Sequence, residues 1–165
     1  VVKFHDALYE ELKVFVRYSA WLSATPERAE AVEIKGPQLS RLEALKHNWV
    51  IAKRGRKAED YEPAMPPLHG SEYLLSHFFE IGPTLAAGMG AGPVTFSEIG
   101  DWMQCTGVEL QPWEARFIHS LSKEYLDESY KAVKRDRAAP WTVEREAAPP
   151  PVTATQAWIR SLAKI

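Results

Sequence analysis

The side chains with the chemistry to cut, transfer or ligate are five histidines, one cysteine and three groups of acids. The histidines are His5, His47, His69, His77 and His119. None has a second His or Cys three or four residues away, the spacing that puts two metal ligands on one helical face. A metal site would have to be assembled by folding alone, and none is expected. His119 falls near the edge of an apolar helical face. A half-buried partner for a backbone or carboxylate group is the expected role there, not a general base. Cys105 follows an apolar helical face near a predicted helix C-terminus, where the dipole disfavours a thiolate. A single cysteine closes no intrachain disulfide. No G-x-S-x-G elbow is present. The acids Glu10/Glu11, Glu59/Asp60 and Glu124/Asp127/Glu128 fall on polar faces or in linkers, and read as solvated surface rather than a glycosidase pair. The run Gly88 to Gly92 has no Lys-Ser/Thr pair and no strand before it, so it is not a phosphate loop. A close-packed turn is the expected role. The sequence therefore predicts no catalytic residue, no metal and no cofactor.

Charge narrows the partners. With 45% hydrophobic and 25% charged residues, the 165-residue chain has an ordinary globular balance and can bury one core. A formal net charge of -2 provides no global pull toward nucleic acid or an anionic membrane. The one basic cluster, Lys46 with Lys53 to Lys57, stands beside Glu59, Asp60 and Glu62 and has no interleaved aromatics, so it reads as a solvated helix end. No run approaches the roughly 20 apolar residues of a membrane span. The acidic, amphipathic start does not read as a signal peptide.

Helices must position whatever this chain presents. Phe4, Leu8, Leu12, Phe15, Val16 and Leu22 predict a helix over Val2–Leu22, stopped by Thr25-Pro26. Glu27 to Lys35 reads as a turn or a weak extra helix. Leu39, Leu42, Leu45 and Trp49 mark a second helix ending near Lys53, with Gly55 able to cap it. Residues 58–70 carry Pro63, Pro66 and Pro67 and read as an extended linker. A helix follows over Ser71–Ile81, apolar on more than half its circumference. Thr95 and Glu98 have capping-box spacing before Ile99, Trp102 and Met103, and Thr106-Gly107 is the stop. Pro112 and Glu114 suit the first turn of a long helix carrying Trp113, Phe117, Leu121 and Tyr125 and reaching Lys134. Residues 142–152 form a proline-rich linker, and Thr153–Ile165 a final amphipathic helix with Trp158, Leu162 and Ile165 on one face. Only Gly90–Phe96 and Trp141–Val143 could be short strands. The expected architecture is all-α: about five to six helices, with an N-terminal helical region (1–57), a linker (58–70), a helical core (71–141), a linker (142–152) and a C-terminal helix (153–165).

The surplus of aromatics, six each of Trp, Tyr and Phe, points to recognition of another protein, since Trp and Tyr concentrate at interface hot spots. Trp102, Trp113, Phe117, Leu121, Tyr125, Trp141 and Trp158 are the candidate partner-binding residues.

From Trp102 to Trp141 the pattern becomes more specific. Trp102, Thr106-Gly107, Leu110, Pro112-Trp113-Glu114-Ala115, Ile118, Leu121-Ser122 and Tyr125, with a charged spacer and Ala139-Pro140-Trp141, resemble the tail assembly chaperones of tailed bacteriophages. Tyr73 to Pro93 is similar to the same group, so the resemblance spans roughly residues 72–141. It implies a non-enzymatic protein acting in the host cytoplasm during phage assembly. Its partner would be the tape-measure or another tail protein, or a second copy of the chain as a homo-oligomer, with neither nucleic acid nor membrane. A structural virion component, such as a tail or neck adaptor, and a small nucleic-acid-binding regulator using Lys53 to Lys57 are the alternatives.

Overall fold

The computed structural model describes residues 2–28, 37–88 and 90–143. Five α-helices order these residues: α1 (Val2–Ser23), α2 (Arg41–Ala52), α3 (Glu72–Ile81), α4 (Phe96–Thr106) and α5 (Pro112–Ala132). A single 3-10 turn, Ala58–Asp60, interrupts the proline-rich segment. The protein is a small, mostly helical domain, as expected. The sixth expected helix, Thr153–Ile165, the preceding linker from residue 144 onward and Trp158 lie outside the described residues.

Local chemistry explains the boundaries. Thr95 Oγ1 accepts the Glu98 amide while the Glu98 carboxylate takes the Thr95 amide at 3.2 Å, the reciprocal capping box read from the sequence. Gly107 closes α4 in the left-handed region at φ 72°, donating its amide to Met103 O at 2.9 Å. Pro112 opens α5, where a missing N–H costs nothing. A second capping box, Ser40 with Glu43, starts α2 and was not among the expected caps. Gly55 does take a positive φ, but in the turn after α2; the cap itself is Lys53, donating to Trp49 O.

The expected absence of sheet is corrected at one place. Leu85–Ala87 and Gly90–Gly92 pair as an antiparallel hairpin, Leu85 opposite Gly92. Gly90–Gly92 falls in a stretch that could be a strand; Leu85–Ala87 does not, and Trp141–Val143 forms no strand. Small residues carry no alternating hydrophobic pattern, so periodicity could not show the pairing. At Gly92 the approach is tight: an added Cβ would meet Ala87 Cβ at 3.0 Å.

One core joins elements on both sides of the proline-rich segment. Leu8, Leu12 and Val16 of α1 pack with Leu74, Leu75 and Phe78 of α3, Val94, Ile99 of α4, and Ile118 and Leu121 of α5. Helix α5, about 32 Å long at ~1.5 Å per residue, is the spine, and α1 is its main partner. The segment read as a linker lies against this core: Pro66 is buried, Leu68 packs on the cluster, and Glu11 accepts the His69 amide at 3.3 Å.

Candidate protein-binding surface

The sequence candidates divide by exposure. Trp113 is half-buried, its ring stacked on His5 at 4.7 Å and edge-on to Phe117 at 5.2 Å. Phe117 meets Tyr9 at 5.1 Å, so these rings join the start of α5 to α1. Half-buried Trp102 lies 5.2 Å from His77, which contacts Tyr73 in turn, giving an aromatic row between α3 and α4. Tyr125 packs beside Phe78. Trp141 meets Tyr18 edge-on at 5.3 Å. Leu121 has 0% exposure and leaves a partner nothing to touch; it is a core residue. A four-residue repeat marks an apolar stripe but not which part of it the rest of the chain covers.

Several motif residues act within the fold. Ser122 is fully buried between the hairpin's two ends: its hydroxyl donates to Pro83 O and accepts the Val94 amide, both at 2.8 Å. His119 Nδ1 lies 2.7 Å from Val94 O, and because a carbonyl can only accept, that nitrogen carries the proton. This is the half-buried backbone partner expected of His119. Tyr130 Oη donates to Ala91 O at 3.2 Å. One face of α5 therefore latches the hairpin through Ser122, His119 and Tyr130. Ser122→Ala should cost about 1–3 kcal/mol, because it strands a buried amide and carbonyl together. Urea melts of the two proteins measure it. A loss within error of zero would show that water reaches both groups.

Glu114 has two tasks. It accepts the Gln111 amide at 2.6 Å, capping α5, and the Tyr73 hydroxyl at 2.5 Å, which ties α3 to the start of α5. Burial first, then the bond to that carboxylate, push the Tyr73 phenol up from 10.0 to about 12. The folded state thus favours the neutral phenol, and the bond's stabilisation is complete below pH 10 and lost as pH rises through about 12. Tyr73 is well exposed, so screening holds the effect of Tyr73→Phe to about 1 kcal/mol near neutral pH. Denaturation curves of the two proteins should converge above that window. A constant difference across it would assign the effect to packing.

The C-terminal end of α5 is held by residues the sequence reading missed. Arg41 is buried; its guanidinium donates to Lys134 O at 2.8 Å and lies 4.6 Å from the Trp21 ring. Trp21 Nε1 donates to Arg137 O at 3.0 Å, and the Glu27 amide to Val133 O at 2.9 Å. A cation among a helix's last carbonyls is favoured by the dipole. A cation opening α2 is not favoured by α2 itself, and that local inconsistency was the available signal. Burial lowers the Arg41 pKa, partly offset by Glu128.

Glu128 corrects the solvated-surface reading of its acid group. It is 0% exposed and receives both Arg137 Nε at 2.8 Å and Nη2 at 2.6 Å, which raises the Arg137 pKa. Arg17 Nε stands 3.3 Å from Glu124 and 3.7 Å from Glu128, as a charge contact without hydrogen-bond geometry. Glu124 is half-buried and Asp127 exposed; the Lys131 hydrogen bond holds the Asp127 carboxyl below the usual range. These charges organise a helix end. Among the described residues no group of three or more His, Cys, Asp and Glu could hold a metal ion.

What the described surface offers is apolar contact. Phe79, Phe96 and Tyr130 are exposed, and Phe96 leans on His119 at 4.5 Å beside the hairpin. On the other side of the molecule's sequence, Ala7, Val14, Pro66, Pro67 and Trp141 line an open groove of about 400 Å³ rimmed by Glu10 and Glu11. No described helix is long and apolar enough to cross a membrane.

No curated protein and no solved structure matches the chain. The resemblance read over residues 72–141 is shown over a shifted span that takes in the proline-rich segment and stops before Trp141. Residues 50–127, from the last turn of α2 through most of α5, match the family model described as phage tail assembly chaperone, and over this segment the chain is similar to that family.

Proposed function

We propose that the protein is a tail assembly chaperone that binds the tape-measure protein in the host cytoplasm and keeps it soluble until tail-tube subunits polymerise around it. The match over residues 50–127 carries this reading. The surface supports it: a client built of long amphipathic helices needs apolar faces to lie on, and Phe79, Phe96 and Tyr130 stay exposed although a core is already formed. The half-buried rings of Trp102, Trp113, Phe117, Tyr125 and Trp141 extend this set at its edges. Such a protein needs no catalytic constellation or cofactor.

Co-expression with the tape-measure protein of the same phage tests the reading. The expected result is a larger soluble fraction of that protein and its co-purification with this chain. Unchanged solubility with no co-purification would overturn it. A chaperone is also absent from finished particles, so mass spectrometry finding this chain in purified virions at stoichiometric abundance would replace the reading with a structural one.

A further inference from the structure

The turn that follows α2 carries four cations in five residues: Lys53, Arg54, Arg56 and Lys57. All four are exposed, and among the described residues none of them forms an ion pair. Glu59, Asp60 and Glu62 follow directly but do not neutralise them by contact. The Asp60 carboxylate instead accepts the Lys57 amide at 3.2 Å. Clustered like charges repel, so a counter-charge from outside lowers the energy of this turn.

The backbone that carries the cations has a fixed shape. The Arg56 amide donates to Lys53 O at 3.1 Å, around Gly55 at φ 85°. The Asp60 amide then returns to Lys57 O at 3.1 Å in the 3-10 turn, which packs on α2. Trp49 and Tyr61, half-buried and 5.7 Å apart, join the two ends of the segment. A partner therefore has only side chains to order, which keeps the cost of binding low.

Three features select the partner. First, two arginines without partners can each hold a carboxylate through two parallel hydrogen bonds. Second, Ile51, in the last turn of α2, is 64% exposed. It offers an aliphatic contact that a peptide side chain fills and a phosphate backbone does not. Third, the turn lacks what a nucleic acid would use. The Trp49 and Tyr61 rings pack on each other rather than standing free as stacking platforms. Exposed Glu59 and Glu62 stand at the end of the cation run, where they repel a phosphate backbone that continues past it.

We propose that Lys53, Arg54, Arg56, Lys57 and Ile51 form a docking site for an acidic segment of a partner protein. Two or more of its carboxylates meet the cations, and one apolar side chain rests on Ile51. The site shares no residue with the exposed rings Phe79, Phe96 and Tyr130, so it holds whichever client those rings contact.

Fluorescence anisotropy with the full chain tests this, the probe being a labelled peptide of repeating Asp-Glu-Leu-Glu near physiological salt. The chain should bind this peptide and not its Asn-Gln-Leu-Gln counterpart. Arg54→Glu with Arg56→Glu should weaken binding at least about tenfold, because two attractions become repulsions. Arg116→Glu with Lys123→Glu makes the same charge change at exposed positions of α5 and should leave binding within about twofold. Ile51→Ser should weaken it about threefold through lost apolar contact. Every replaced side chain is exposed, so the urea midpoints of these variants should stay together. No binding of the acidic peptide, or equal losses in the two charge-reversed variants, would overturn the proposal. Tighter binding of DNA than of the peptide would overturn it too, by giving the turn to phosphates. No tail protein enters this assay, so its outcome is separate from that of the co-expression experiment.

Discussion

Glu128→Ala should destabilise the protein by about 3 kcal/mol, the lower end of what breaking a buried ion pair costs, because both cations left behind keep some access to water. The carboxylate has 0% exposure and two short bonds from Arg137, so its desolvation is already compensated in the native state. Removing it releases Arg137 and takes one of three acids from Arg17. The effect spreads, since the Arg137 carbonyl holds the Trp21 indole and the neighbouring Lys134 carbonyl holds Arg41. Glu128→Gln preserves shape and one acceptor and should cost less, about 1–2 kcal/mol. Urea denaturation of both variants, with Arg137→Ala alone and combined, should give a coupling above about 1 kcal/mol. Additive single losses would show that the pair contributes nothing beyond its parts. Arg137→Lys should recover little of the coupling, because an ammonium cannot reproduce the two-pronged contact.

The same pair marks where sequence reading stopped. The caps were legible because capping is local: Thr95 with Glu98, Gly107, Pro112 and Glu114 act within a few residues of themselves, and each is found where its type and spacing put it. The apolar stripes of α1, α3 and α5 were legible for the same reason. Glu128 was not, because an acid on a helix looks solvated until Arg17, Arg41 and Arg137 arrive from three distant or turned segments. Ser122 looked like a neutral motif letter, and its meaning depends on the hairpin ends at Pro83 and Val94. The hairpin itself is built of residues too small to carry a pattern. Helix α2 shows the converse error: Leu42, Leu45 and Trp49 suggested an apolar face, yet all three stay half-buried, and the buried residue is Arg41. The candidate binding set mixed both outcomes. Trp102, Trp113, Phe117, Tyr125 and Trp141 keep part of their rings at the surface, while Leu121 belongs to the interior.

Leu121→Ala separates those two fates of one stripe and should cost about 2–5 kcal/mol, the range for a large-to-small change in a packed core. Its side chain sits with Ile118, and with the α1 and α3 residues that define the core, at 0% exposure. A protein of this size has a total stability on the order of 5–15 kcal/mol, so the variant gives up a large share and its urea midpoint should fall sharply with little change in slope. Trp113→Ala removes a ring that is only half-buried against His5 and Phe117, and should cost less stability while removing surface a partner could use. In the co-purification assay the two variants should therefore diverge once signals are scaled to folded protein. Leu121→Ala should retain normal client capture per folded molecule, and Trp113→Ala should lose it. A stability loss below about 0.5 kcal/mol for Leu121→Ala would mean that the stripe faces outward, because a core leucine cannot be truncated so cheaply.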